Sequence, residues 1–314
     1  MPPREAAAAV HHGAVSSAPL AVIHIGIDPV VHIGPAAIHW YGVMYAVAFY
    51  VGYRVAVVPY LSRHGIDRAT IDRLITWTII MGLLGARLYY VVQSGLGYYL
   101  SHPQHILAFW EGGMAFFGAI LAAFATLAVL GWRHHISFWV LADAAVLFGV
   151  IGQPIGRIGN VINGDILGGP SSLPWATAYT NPGAILQRGY ALCNPNAFEC
   201  TAYQPAAAYE AIGTILIGLV LLALLRRGVR DGVLAITYVA LYAVSQIVIF
   251  RWRESEPVIA YGLKQAQLTA IAVLAVGVPL LLLLRRRSRV AGPAEVRGDE
   301  QPAPESTQPA EPVA

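Results

Sequence analysis

Apolar residues in this chain come in long blocks, and polar ones collect in the gaps between them. The blocks lie at about 39–60, 74–94, 114–131, 136–155, 206–225, 233–250 and 266–284, each close to the roughly 20 helical residues needed to cross the hydrocarbon core of a bilayer. The pattern predicts an all-α polytopic membrane bundle of about seven transmembrane helices, occupying residues 38–286, with one long polar loop at about 161–204. Ahead of the bundle, residues 1–37 read as an exterior segment. In it, DPVVHIGPAAIHWYG lies along the membrane interface and sets Trp40 and Tyr41 at headgroup depth. Residues 1–20 contain only Arg4 as a basic residue and no apolar h-region, so no cleavable signal peptide is expected. From Ala291 the chain turns to Pro, Ala and Glu, and residues 287–314 are predicted to form a disordered cytoplasmic tail.

Composition agrees with the blocks. Hydrophobic residues make up 57% and charged residues 12%, against roughly 45–50% and 25% in soluble domains, and the mean hydropathy is +0.58. Basic residues are distributed unevenly: Arg63, Arg68, Arg73, Arg133, Arg226, Arg227 and Arg230 fall in alternate gaps, and Arg285, Arg286, Arg287 and Arg289 follow the last block. Because Lys and Arg concentrate in cytoplasmic loops, the N-terminus is expected outside and the C-terminus inside. The sequence pI near 8.9 reflects these anchors and calls for no nucleic-acid partner. Cys193 and Cys200 both fall in the long outer loop; in an oxidising compartment they bridge or remain two thiols, with equal weight. No CxxC, HExxH, P-loop or GxSxG occurs, so metal, nucleotide and serine-hydrolase chemistry have no support in the motifs.

Ionisable residues at membrane depth are costly and mark functional sites by default. The strongest concentration is GRIGNVINGD, residues 156–165. Pro154 is expected to end or kink the preceding helix, the glycines let a ligand or another backbone approach, and Arg157 offers a planar fork of donors suited to phosphate. Asn160 and Asn163 continue that site with neutral donors, and Asp165 closes it. The competing reading pairs Arg157 with Asp143 or Asp165 as a staple between helices. A second cluster is FWEGGMAFFG, where Glu111, Gly112 and Gly113 open the third helix and present N–H groups to an anion. Tyr41 ends the first helix on the same side, Tyr209 and Glu210 open the fifth, and Arg251 and Arg253 follow the sixth. Arg87 lies deeper, in GLLGARLYYVV; a structural pairing suits it better, and it stays a candidate for the substrate site.

Together the stretches HWYGVMY, GARLYYVV, FWEGGMAFFGAI, LAD, GRIGNVINGD, YQPAAAYE and RWRESEP resemble the bacterial prolipoprotein diacylglyceryl transferase family, over residues of about 30–285. The resemblance implies a multi-pass enzyme of the bacterial inner membrane. Such an enzyme moves the diacylglyceryl group of phosphatidylglycerol to the lipobox cysteine of a preprolipoprotein, forming a thioether and releasing glycerol phosphate without metal or cofactor. Carried over, Arg157 grips the lipid phosphate with Asn160 and Asp165 beside it, Tyr41 is the required tyrosine, and Arg253 matches the last arginine of the RxxxEFFR pattern. This chain departs from the family in having Phe117 at a histidine position, Gln246 for the first arginine of that pattern, and Arg251 for an aromatic. The alternatives are a family member that binds phospholipid without transferring it, and an anion or lipid transporter.

Overall fold

The computed structural model describes residues 22–34, 36–109, 112–186, 189–193, 200–253 and 258–290, with the backbone alone for Phe116, Leu284, Arg285 and residues 287–290. The expectations for residues 1–20, for the tail from Ala291, and for Glu111 lie outside the described residues; residues 287–290, expected in the disordered tail, instead continue the last helix. Every apolar block forms a helix. These are α1 (Trp40–Arg63, with a π-helical stretch at Gly52–Val57), α2 (Arg68–Ser101), α3 (Phe116–Arg133), α4 (Phe138–Asn163), α5 (Ala206–Arg226), α6 (Val233–Ile249) and α7, from Gln265 to Val290. Of these, α1, α2, α4, α5 and α7 are long and apolar enough to cross a membrane, while α3 and α6 are shorter apolar helices.

Successive helices reverse direction, so the bundle has an arginine-rich end and an opposite end carrying the long loop. The deepest packing is at the arginine-rich end, where Tyr60 and Leu61 of α1, Ile71 and Leu74 of α2, Leu141 and Leu147 of α4, Leu221 of α5 and Leu234 of α6 form one cluster. Helix α4 runs through the centre, with half of its most apolar window buried against about a fifth for α1, α2 and α5. Asp143 on α4 is almost fully buried and accepts from the backbone N–H groups of Gly232 and Ala235, both at 2.7 Å, and from the Tyr60 hydroxyl at 3.2 Å. It thereby satisfies the otherwise unpaired donors at the start of α6. This overturns the reading in which Asp143 neutralises Arg157. Helices α2 and α3 form a close hairpin: a Cβ on Gly85 would lie 2.6 Å from the Gly118 carbonyl oxygen, and one on Gly118 2.3 Å from that of Gly85. Small residues at such crossings let backbones approach in lipid.

Short strands correct the all-α expectation at the opposite end. The segment expected to run along the interface folds into an antiparallel hairpin, β2 (Val30–Ile33) with β3 (Ala36–His39), leading directly into α1. Strand β1 (Ile23–Ile25) pairs in parallel with β4 (Thr177–Tyr179) of the long loop, and β5 (Val258–Ala260) pairs with β6 (Leu263–Lys264) just before α7. Val and Ile dominate β1, β2 and β5, as suits a pleated, half-covered surface. The loop has its own small cores, Ile25 with Leu167, Tyr179 and Tyr203, and Ala176 and Ala178 with Ala202. Cys193 and Cys200 are joined in a disulfide, which settles the two readings of that pair.

Candidate active site

Helix α4 does not stop at Pro154; it continues through GRIGNVIN to Asn163, so Arg157 and Asn160 share one helical face, a turn apart. Gly164, with φ +77°, ends the helix in the left-handed region, a conformation glycine adopts without steric cost. The loop expected from residue 161 therefore begins at Gly164. Gly159 serves close approach instead: a Cβ there would lie 3.1 Å from the Cα of Tyr41. Helix α1 can thus lie close against the last turns of α4, on the side that carries Gly156 and Gly159.

One terminal nitrogen of Arg157 forms an ion pair with Oε2 of Glu210, and the other donates to Oδ1 of Asn160 at 3.1 Å. The Asn160 amide nitrogen in turn donates to both oxygens of Asp165, at 3.1 and 3.2 Å. Glu210 opens α5, is 4% exposed, and offers its second oxygen to Nη1 of Arg253 at 3.4 Å. A single buried carboxylate therefore bridges two guanidiniums, and the staple runs from α4 to α5, not to Asp143 or Asp165. Burial pushes the Asp165 carboxyl above its ordinary range, against the Asn160 amide and the nearby Arg157 and Arg253 charges. Asn163 is also buried, and its Oδ1 has no hydrogen-bond partner among the described residues.

Tyr41 joins the same group. It lies within electrostatic reach of Asp165 and Arg157, and its hydroxyl donates to that of Tyr45 at 2.9 Å. Helix α6 ends at Ile249, and the chain turns so that Arg253 reaches Glu210 and lies over the Phe250 ring at 4.8 Å, while Arg251 stays exposed.

Gly112 and Gly113 sit differently from the expectation. Helix α3 starts at Phe116, and the Gly112 N–H donates to the Phe109 carbonyl at 3.3 Å, so the pair is not an open helix start. Both glycines have φ near +77°, and a Cβ on Gly113 would strike the Tyr90 ring at 2.2 Å. Arg87, 1% exposed, holds this loop in place. It donates to the carbonyls of Ile106 at 2.9 Å, His105 at 2.6 Å and Gly113 at 3.1 Å, and also to that of Gly112. Arg87 is thus engaged with backbone rather than with the cluster around Arg157.

Two residues of this region escaped the sequence reading. Tyr45 is one; its place four residues after Tyr41 on the same helical face was the available signal. Lys264 is the other; it is buried and donates Nζ to the carbonyls of Phe250 at 2.9 Å and of Arg253. It pins the turn that presents Arg253, and Gln267 ties the same region to the Ile247 carbonyl at 3.0 Å.

The cluster thus lies at one end of an apolar bundle and is built from α1, α4, the start of α5 and the segment after α6. A family model described as prolipoprotein diacylglyceryl transferase matches residues 29–283, a span that contains every residue of the cluster. Similar proteins include the phosphatidylglycerol–prolipoprotein diacylglyceryl transferase of Rhodospirillum centenum, 34% identical over 271 residues that cover 82% of this chain and 91% of that protein. Those of Bordetella avium, at 32% identity over 83% of this chain and 96% of the relative, and of Halalkalibacterium halodurans, at 33% over 82% and 86%, match to the same extent. With a family model over residues 29–283 and relatives of 32–34% identity matched over 82–83% of the chain, the chain belongs to the prolipoprotein diacylglyceryl transferase family, a family of membrane transferases.

Proposed function

We propose that this chain transfers the diacylglyceryl group of phosphatidylglycerol to the lipobox cysteine of a preprolipoprotein, as a seven-span inner-membrane enzyme with its N-terminus outside. The observation that carries this reading is the pairing of Arg157 and Arg253 on the buried carboxylate of Glu210. Both guanidiniums are thereby held at one end of the apolar bundle, with Glu210 between them and Asp165 nearby. The planar fork of a guanidinium matches the oxygens of a phosphodiester.

In the reaction the acceptor thiolate attacks the glycerol carbon bonded to the phosphate. The sulfur–carbon bond forms, the carbon–oxygen bond breaks, and glycerol phosphate leaves. A free thiol ionises near pH 8.5, and adjacent positive charge lowers that value. The departing phosphate goes from one negative charge to nearly two. A phosphate monoester has its second pKa near 6, so water or the leaving group itself can take up the thiol proton at neutral pH. The arginines stabilise the charge that develops on the leaving oxygen, and removing one such preorganised donor typically costs about 100- to 1,000-fold in rate. Asn160 and Asp165 fix the Arg157 fork, Tyr41 closes the site from α1, and the buried Oδ1 of Asn163 is an acceptor for a headgroup hydroxyl. In this reading Gly112 and Gly113, set by Arg87, serve the lipid from the α2–α3 side.

The test is to incubate the purified protein in phosphatidylglycerol vesicles with a lipobox peptide and to look for the diacylglyceryl thioether by mass. The thioether and an equal amount of glycerol phosphate are expected. Saturable lipid binding without product would instead make this a family member that holds phospholipid unreacted.

A further inference from the structure

Glu210 and Arg253 each follow an aromatic residue in the chain, Tyr209 and Trp252, and these two rings meet edge to face with centroids 6.2 Å apart. A third ring joins them from the long loop. The indole N–H of Trp175 donates to the Tyr209 hydroxyl at 2.8 Å. The polar atoms of Trp175 and Tyr209 are turned towards one another, while Trp175 is 49% and Trp252 41% exposed.

The mounting is stiff on both sides. Trp175 sits in a turn closed by the Ala176 N–H on the Leu173 carbonyl at 2.9 Å, and the next residues, Ala176 and Thr177, are buried. The Trp252 carbonyl accepts from the Gly169 N–H at 3.3 Å, and a Cβ on Gly168 would come within 2.7 Å of that carbonyl oxygen.

Tryptophans of an interfacial belt turn the indole N–H to water or headgroups. The Trp175 N–H is instead satisfied inside the protein, and the residue belongs to the loop rather than to a helix end. What remains is a firmly mounted aromatic shelf in which Trp175 and Tyr209 already satisfy one another. Side chains of this kind act as anchors in protein–protein contacts, because they bury area at small entropic cost.

An acceptor cysteine that attacks the glycerol carbon next to a phosphate held by Arg157 and Arg253 has to be carried to that end of the bundle by apolar flanking residues. We infer that Trp175, Tyr209 and Trp252 form the seat for the apolar side chains next to the acceptor cysteine, beside the guanidiniums that hold the lipid. This assignment rests on the transfer reading given above.

Binding can be measured apart from transfer. The probe is a dansyl-labelled acceptor peptide with serine in place of its cysteine, titrated by anisotropy against the full chain in phosphatidylcholine nanodiscs. Saturable binding by the wild type is expected, with an affinity loss of about tenfold for Trp175→Ala and for Trp252→Ala. Trp175→Phe, which keeps a ring face, should stay within about threefold of wild type. Replacing the peptide's own apolar residues by serine should weaken binding to the wild type by as much as the tryptophan variants do, a result independent of how those variants fold. The complementary reading is kinetic: in the transfer assay the tryptophan variants should raise KM for the peptide and leave KM for phosphatidylglycerol unchanged. Wild-type affinity in both tryptophan variants, a rise in KM for the lipid instead, or no saturable binding by the wild type overturns the seat. Peptide binding that depends on the rings in a protein making no thioether overturns the transfer reading and leaves the seat standing. Normal transfer with ring-independent binding does the reverse.

Discussion

Arg157 uses its two terminal nitrogens on different partners, Glu210 and Asn160, and only a planar fork can do that while still facing a phosphate. Arg157→Lys is therefore expected to lose transfer nearly as completely as Arg157→Ala, by about 100-fold or more, measured as initial thioether formation. Near-wild-type activity in the lysine variant would reduce the arginine to a plain charge. The same reasoning ranks the two arginines after α6. Arg253 meets Glu210 and Arg251 is exposed, so Arg253→Ala should cost far more activity than Arg251→Ala; the opposite order would mean that Arg251 supplies the second cation.

Asp165 gives a prediction in pH. Its folded-state pKa is raised from 3.8, chiefly by burial. The stability linked to its protonation is therefore fully present below the ordinary value and is lost as pH rises through the raised one. Asp165→Asn removes the buried charge, so its Tm at pH 7 should exceed that of the wild type, with the gap narrowing towards pH 4. A constant gap across that range would remove Asp165 from the linkage. From the sequence, Arg157 was legible as a candidate site residue because a charge at the end of an apolar run demands an explanation. Its partner was not: Glu210 lies on another helix and meets Arg157 only once α4 and α5 pack side by side, a fact that no local pattern encodes.

At the scale of elements, block length identified every helix, because apolar runs of this length have few other uses. Their ends were read less well. Pro154 read as a stop because a proline inside a helix removes one hydrogen bond, at a cost of about 3 kcal/mol. Helix α4 continues nonetheless, with Gly156 and Gly159 packed against Tyr45 and Tyr41 of α1, and prolines are tolerated in membrane helices where neighbours re-satisfy the freed groups. The strands were missed because two to four residues are too few to show a period of two. The start of α6 yields the element-scale prediction. Asp143 accepts two backbone N–H groups there, so Asp143→Ala should cost at least ~2 kcal/mol by leaving them buried and unpaired. Asp143→Asn, which keeps one acceptor oxygen, should cost less. Equilibrium unfolding in micelles checks this, and equal losses for the two variants would show that hydrogen bonding at this cap is not what matters.

For the molecule as a whole, the chain's two cysteines are bonded to each other, so a single added cysteine is the sole free thiol in a labelling experiment. With the orientation proposed here, cysteines placed beside Arg63 and Arg227 should resist an impermeant reagent in intact cells, and one beside Pro182 should react. The reverse pattern would invert the topology. The pairing of β1 with β4 bears on biogenesis. Ile23 lies opposite Thr177, about 150 residues later, so at translation rates of about 5–20 residues per second β1 waits roughly 8–30 s for its partner. Throughout that interval α1 to α4 are already being threaded into the bilayer, while an apolar strand ahead of them has an open edge in water. The earliest part of this region to be synthesised is thus among the last to settle, and a nascent chain stalled before residue 177 is expected to expose that strand to proteases and holdase chaperones.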